Sequence, residues 1–188
     1  MIAAGDMRPG TVFEMDGELY RVLTHSQTHL GRGSATVRVK LRNLRSGATI
    51  ERTFSPTDRF QDVRLESRKM EYIYNDGDFY YFMDLETYEQ PGVPASLLGD
   101  QVKFLKEGMQ LEIAFYEGEA IEIELPPTVD LEVTYTEPGF AGDTAQGATK
   151  PAELETGLTV NVPLFVNTGD IIRVDTRTGE YVTRVKSA

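Results

Sequence analysis

"EGMQLEIAFYEGEAIEIEL", residues 107–125, is the stretch on which the fold turns. Leu111, Ile113 and Phe115 alternate with polar or small residues, the run breaks near Gly118, and Ile121 and Ile123 resume the alternation. A period of two marks a strand with one buried face, and the glycine break marks a chain reversal. On the second arm Glu119, Ile121 and Ile123 share one side while Glu122 and Glu124 share the other. That is the pattern of a half-buried strand with its acids in water.

The plan recurs about 50 residues later, a spacing that itself points to repeated units. "TGLTVNVPLFVNTGDIIRVDT", residues 156–176, again runs from glycine through alternating apolar positions to Gly, an acid, apolar residues and Ile. The glycines lie 10 apart in the first copy (108 to 118) and 12 apart in the second (157 to 169). This internal repeat predicts two related small barrels rather than one large one.

The remaining segments also read as strand, turn, strand. Asp16-Gly17, Ser46-Gly47, Asp76-Gly77 and Thr178-Gly179 each sit between alternating arms, which is a short-range hairpin signal. "DLEVTYTE" alternates once more. No amphipathic helical pattern exceeds about two turns. "PGVPASLLGD" predicts one helical turn, with Pro94 at the first helical position. The fold class is therefore all-β, built of small barrels. Residues 1–64 lack the repeat and form a third unit. Pro126-Pro127 is a stiff break, and a shift in charge marks the softer boundary near Arg64. The expected domains are 1–64, 65–126 and 127–188. Units of roughly 60 residues are marginal alone, so they lean on their junctions.

The chain carries a net charge of −11, unevenly spread. Residues 1–64 hold 10 Lys/Arg and 7 Asp/Glu, residues 65–126 hold 4 and 14, and residues 127–188 hold 5 and 9. One end is basic and the middle strongly acidic. A polar partner approached by the basic end fits this asymmetry, and so does an acidic face that keeps the protein in solution. There is no cysteine. That excludes disulfides, thiolate zinc sites and cysteine nucleophiles, and fits the cytoplasm. No apolar run approaches the length of a membrane span, and "MIAAGDMRPG" is too short and too polar for a signal peptide.

Enzyme readings find little support. His25 and His29 have the i, i+4 spacing of helical metal ligands, but they lead into a glycine turn in a β-rich region, with no third ligand evident. They read as ordinary hairpin histidines, and no metal site is expected. In "EPGFAGDTAQGATKP", residues 137–151, Gly142 and Gly147 have phosphate-loop spacing. Lys150 then arrives two places late and Pro151 follows, so the motif fails and a mobile connection is the reading. No carboxylate pair is marked as desolvated. No cofactor is called for.

The basic hairpin is different. In "HLGRGSATVRVK", residues 29–40, Arg32 stands between Gly31 and Gly33. Arg38, Lys40 and Arg42 then alternate with Val37, Val39 and Leu41, with Arg45 close behind. Such a strand turns a cationic face to solvent, suited to a phosphate backbone or simply a polar strand face. The glycines permit tight geometry and close backbone approach at the tip. Arg32 can bind phosphate bidentately or stack on a base, or it is a plain solvated arginine in a turn.

"KPAELETGLTVNVPLFVNTGD", residues 150–170, resembles the C-terminal signature of bacterial elongation factor P, with Lys150, Ala152, Gly157, Val162-Pro163 and Gly169 in place. "ERTFSPTDRF", "YIYNDGDFYYFMDLETYEQ" and "VDTRTGEYV" are also similar to that family, and the likeness runs the whole length. The resemblance implies an L-shaped monomer: an N-terminal SH3-like (KOW-type) barrel, then two OB-fold barrels. It implies binding to the 70S ribosome between the peptidyl and exit sites, beside peptidyl-tRNA, with rescue of ribosomes stalled at consecutive prolines. The protein would position substrate and do no bond chemistry itself. The family's tip residue, often a modified lysine, contacts the CCA end, and that position corresponds to Arg32. Many family loops read Lys-Pro-Gly-Lys-Gly; here Arg32 lacks the amine that lysylating enzymes need. Arg32 is either rhamnosylated by a modifying enzyme or works bare. Arg177, Tyr181 and Arg184 are candidate RNA or ribosome contacts of the last domain, though Tyr181 equally fits a core. Two rivals stay open: a specialised paralogue, and a general OB-fold nucleic-acid binder whose Tyr72, Tyr74, Tyr80 and Tyr81 are stacking platforms.

Overall fold

The computed structural model describes residues 1–29, 35–139 and 147–188. It is built almost wholly of antiparallel hairpins. The first sheet contains β1 (Ile2–Ala3), β2 (Val12–Met15), β3 (Glu18–Thr28), β4 (Thr36–Asn43), β5 (Thr49–Phe54) and β6 (Arg59–Asp62), in the order β1-β6-β2-β3-β4-β5. The second contains β7 (Glu66–Asn75), β8 (Phe79–Asp84), β9 (Gly92–Pro94), β10 (Gln110–Tyr116) and β11 (Glu119–Glu124), in the order β11-β10-β7-β8-β9. The third contains β12 (Thr128–Thr136), β13 (Thr149–Leu154), β14 (Thr159–Pro163), β15 (Ile171–Asp175) and β16 (Tyr181–Lys186), in the order β14-β13-β12-β15-β16.

The turns follow from local chemistry. Asp16-Gly17 and Glu117-Gly118 both take positive φ at both central residues (53° and 77°, 49° and 82°). That geometry matches the twist of the flanking strands and asks for glycine at the second position. The helical segment is longer than the one turn expected. Pro94 caps α1 (Ala95–Leu98) rather than beginning it, and a 3-10 stretch, Gly99–Phe104, continues it. Gly99, with φ 55°, makes the join, and this break in periodicity conceals the second half from a helical pattern search.

By compactness the chain divides into two units. One comprises Met1–Glu66 with Ala114–Glu122; the other comprises Ser67–Ile113 with Ile123–Ala188. In the first, Ala4, Met7, Phe13, Val22, Val37, Val39 and Leu41 form the barrel core. A second apolar cluster lies beside it: Leu19 and Leu44 close on Ile121, with Tyr116, Val12, Val63 and Leu65 around them. The tip of the β10–β11 hairpin is thus part of the first unit's fold.

That placement corrects one expectation. Glu119 and Glu122 do not merely face water. Glu122 takes both terminal nitrogens of Arg21, one at 2.9 Å, and Glu119 takes Arg45 at 3.2 Å. Alternation identified the outward side of β11, but it says nothing about which element stands opposite.

In the second unit, Leu131, Val133, Val160, Val162, Ile172 and Val174 form the core of the third sheet. Phe104, at the end of the 3-10 stretch, belongs to the same cluster. Lys106 pairs with Glu155 at 3.4 Å, and the Thr156 hydroxyl donates to the Lys103 carbonyl. The glycine-rich stretch has fixed ends. Lys150, only 8 % exposed, donates its ammonium to the Glu137 carbonyl. At Gly139 a Cβ would lie 2.4 Å from the Leu164 carbonyl oxygen, so only glycine fits. Residues 140–146, where the mobile connection was expected, lie outside the described residues.

Candidate nucleic-acid interface

The basic hairpin is the pair β3–β4, eleven and eight residues long. Its ladder runs from Tyr20↔Asn43 to Thr28↔Thr36, with one irregularity between Val22 and Thr24. Length matters here. β3 runs on to Thr28 well past its last pair with β2, Val12↔Arg21, whereas β5 accompanies β4 as far as Val37↔Phe54, one residue from its start. Residues 29–35 therefore join the far ends of the longest ladder in the sheet. Arg32, Gly31 and Gly33 fall in this connection and lie outside the described residues.

On β4 the alternation holds. Val37, Val39 and Leu41 are fully buried, while Arg38, Lys40 and Arg42 are exposed. At a strand rise of about 3.3 Å per residue, the row from Arg38 to Arg42 covers roughly 13 Å. Among the described residues no carboxylate pairs with any of the three. This separates them from Arg21, Arg45 and Arg173, which Glu122, Glu119 and Asp130 neutralise. Arg45, read from sequence as one of the basic cluster, is thus committed to Glu119. The sorting of free from paired arginines was not legible in sequence, because their acidic partners lie 74 and 101 residues away. His25 gives its ring nitrogen a structural role, 3.0 Å from the Ala4 carbonyl. Among the described residues no cluster of three His, Asp or Glu could hold a metal ion.

The three C-terminal candidates differ in how they are held. Arg177 sits in the β15–β16 turn with its side chain 79 % exposed, 3.7 Å from Asp175. Tyr181 is half-buried and packs against the third sheet's core. Arg184 lies over the Phe165 ring, 4.8 Å from its centroid, and 3.5 Å from Asp170. Asp170 is itself buried. Burial pushes its carboxyl upward, but the backbone N–H groups of Asn167 and Ala188 and the Arg184 guanidinium outweigh that, and it lies below the ordinary carboxylate value. Asp84 is depressed likewise, first by the N–H groups of Thr87 and Glu86.

The middle tyrosines divide by face. Tyr72 is buried opposite Phe82. Tyr80 lies on the same inward side and meets Tyr72 at 5.9 Å. Tyr74 and Tyr81 lie outward. Of the four, Tyr74 has the exposure that a stacking platform requires, with Tyr81 half-buried against it.

Comparison with known proteins agrees along the whole chain. Residues 3–60 match the family model for the Elongation factor P (EF-P) KOW-like domain. Residues 65–123 match the Elongation factor P (EF-P) OB domain, and residues 129–184 match Elongation factor P, C-terminal. The protein named Elongation factor P from Thermoanaerobacter sp. (strain X514) is 53 % identical over 185 residues, covering 98 % of this chain and all of the relative. The one from Acetivibrio thermocellus is 54 % identical over the same length, with the same coverage. Among solved structures, eukaryotic translation initiation factor 5A from Methanococcus jannaschii superposes with a TM-score of 0.54 at 24 % identity. It covers 66 % of this chain and 93 % of its own, a likeness of fold.

Proposed function

Because the chain belongs to the elongation factor P family, we propose that it acts on the ribosome between the peptidyl and exit sites, where Arg32 meets the CCA end of peptidyl-tRNA. Its task there is to promote peptide-bond formation at consecutive prolines. Proline is a poor nucleophile with a rigid ring. A cation beside the terminal nucleotides can hold the reacting ends together, and positioning of this kind lowers a barrier by several kcal/mol without bond chemistry by the protein. The ribosome remains the catalyst, and the cytoplasm is the place of action.

The observation that carries this reading is the β3–β4 ladder. It is the longest pairing of the first sheet and bears three cations that, among the described residues, have no carboxylate partner, on the strand that leads from the Arg32 connection. Phosphate contacts of this sort fix register and orientation rather than sequence. The division into domains 1–64, 65–126 and 127–188 belongs to the same proposal, supported by the ranges of the three family models.

The test is Arg32→Ala in a strain lacking its own factor, read by paired reporters with and without a polyproline stretch. The expected result is loss of the polyproline product alone, with an unchanged melting temperature. Full rescue by the variant overturns the proposal. Intact mass of the native protein decides whether a sugar-type increment sits on the peptide containing Arg32.

A further inference from the structure

The outward face of β7–β9 carries an aromatic arrangement that neither the core nor the Arg32 hairpin uses. Tyr74 pairs with Tyr81, and Tyr81 with Gly92. The Tyr74 and Tyr81 rings stack, with centroids 4.6 Å apart and planes 18° from parallel. Tyr74 is 48 % exposed and Phe79, two residues before Tyr81, is 42 % exposed.

The platform is built in advance. The Tyr81 hydroxyl donates to Asp76 Oδ2 at 3.2 Å, while the other Asp76 oxygen accepts the Asp78 and Phe79 N–H groups. One carboxylate thus sets both the turn and the ring. On the far side, Gly92 makes room. A Cβ there would lie 2.9 Å from the Tyr81 ring, so any other residue displaces it. Gly92 has no positive φ, so its lack of a side chain serves space rather than backbone geometry.

The face of strands 2 and 3 of an OB fold, here β8 and β9, is where such folds take extended ligands. Nucleic acid is the usual occupant of exposed aromatics on this fold. Here the charge opposes it. Residues 65–126 hold 14 acids against 4 bases. Glu71 on β7, Glu112 on β10 and Glu124 on β11 alternate with buried neighbours and so stand on the same outward side, as do Asp76 and Asp78 at its end. Lys69 is the one cation of β7 on that side. Phosphates are repelled by such a face and guanidinium groups are drawn to it. Arginine also stacks on tyrosine. The step from Phe79 to Tyr81 is about 7 Å, the spacing of alternate side chains in an extended chain.

We propose that Tyr74, Phe79 and Tyr81 form a docking surface for an extended, arginine-rich protein segment. The surface is separate from the Arg32 hairpin, and its test does not depend on the outcome there.

The experiment is an NMR titration of the full chain, labelled with 15N, using a short peptide of alternating arginine and glycine. A glutamate-glycine peptide and oligouridylate serve as the comparison arms. The expected result is shift changes centred on β7–β9, weakened by salt. Tyr74→Ala should reduce affinity about fivefold or more, and Tyr74→Phe should retain it, since the ring face is kept. Tyr74 is half in solvent, so its truncation leaves the fold intact; Phe79→Ser provides a second variant with the same expectation. Absence of binding, affinity indifferent to both variants, or displacement of the peptide by oligouridylate overturns the proposal.

Discussion

Arg21 and Glu122, 101 residues apart in sequence, meet side by side: Nη1 donates to Oε2 at 2.9 Å, and Nη2 to the other carboxylate oxygen. The pair sits beside the Leu19–Leu44–Ile121 cluster, so charge and apolar contact act on the same hairpin tip. Both side chains are about one-third exposed. Solvent therefore screens the pair, and a moderate energy is expected. Glu122→Gln should cost about 1 kcal/mol in urea unfolding, and Arg21→Gln added to it should cost less than Arg21→Gln alone. A coupling near zero across this double-mutant cycle defeats the assignment.

Arg38, Lys40 and Arg42 are exposed and, among the described residues, without a carboxylate partner, so replacing all three with Gln should leave stability within about 0.5 kcal/mol. If they lie along phosphates, affinity for ribosomes falls and the slope of log K against log salt becomes shallower by about 2–3. An unchanged slope assigns the row to a solvated strand face instead.

Gly139→Ala places a methyl against the Leu164 carbonyl oxygen. Backbone cannot give way as a side-chain end does, and overpacking of this kind costs about 1–3 kcal/mol. Thermal unfolding measures it. By contrast, Gly118→Ala is expected to act through strain at φ 82° rather than through contact, since open space surrounds that position.

Asp84 and Asp170 both titrate below their ordinary value in the folded protein. The unfolded chain therefore binds protons first as pH falls. Their contribution is fully present above the unfolded carboxylate range and is lost as pH drops through the folded values. Stability should decline in acid, and Asp170→Asn should flatten that decline relative to the parent protein. A pH profile identical for parent and variant contradicts the assignment to Asp170.

Much of the fold was legible because alternation and glycine turns are local signals. Val37, Val39 and Leu41 face inward as their spacing required, and Arg38, Lys40 and Arg42 face outward. What was illegible depends on partners distant in sequence. Nothing near Arg45 distinguishes it from Arg42, yet Glu119 claims one and leaves the other free. Phe104 lies past the single helical turn expected in "PGVPASLLGD", yet it joins the core of the third sheet. Tyr72 and Tyr74 are both tyrosines on an alternating strand. The irregularity between them in the β7–β8 pairing turns the first inward to Phe82 and the second outward to Tyr81.

The first unit is finished by residues 114–122, and this has a bearing on how the protein is itself made. N-terminal domains ordinarily fold first as they leave the ribosome. Here, when Asp62 has emerged, Leu19 and Leu44 still face water and Arg21 still lacks its acid. Roughly 60 further residues must be synthesised before Ile121 and Glu122 arrive, a wait of about 3–12 s at about 5–20 residues per second. The nascent chain thus carries an open apolar seam through much of its own synthesis, and a slow codon run placed between residues 66 and 114 would lengthen that exposure.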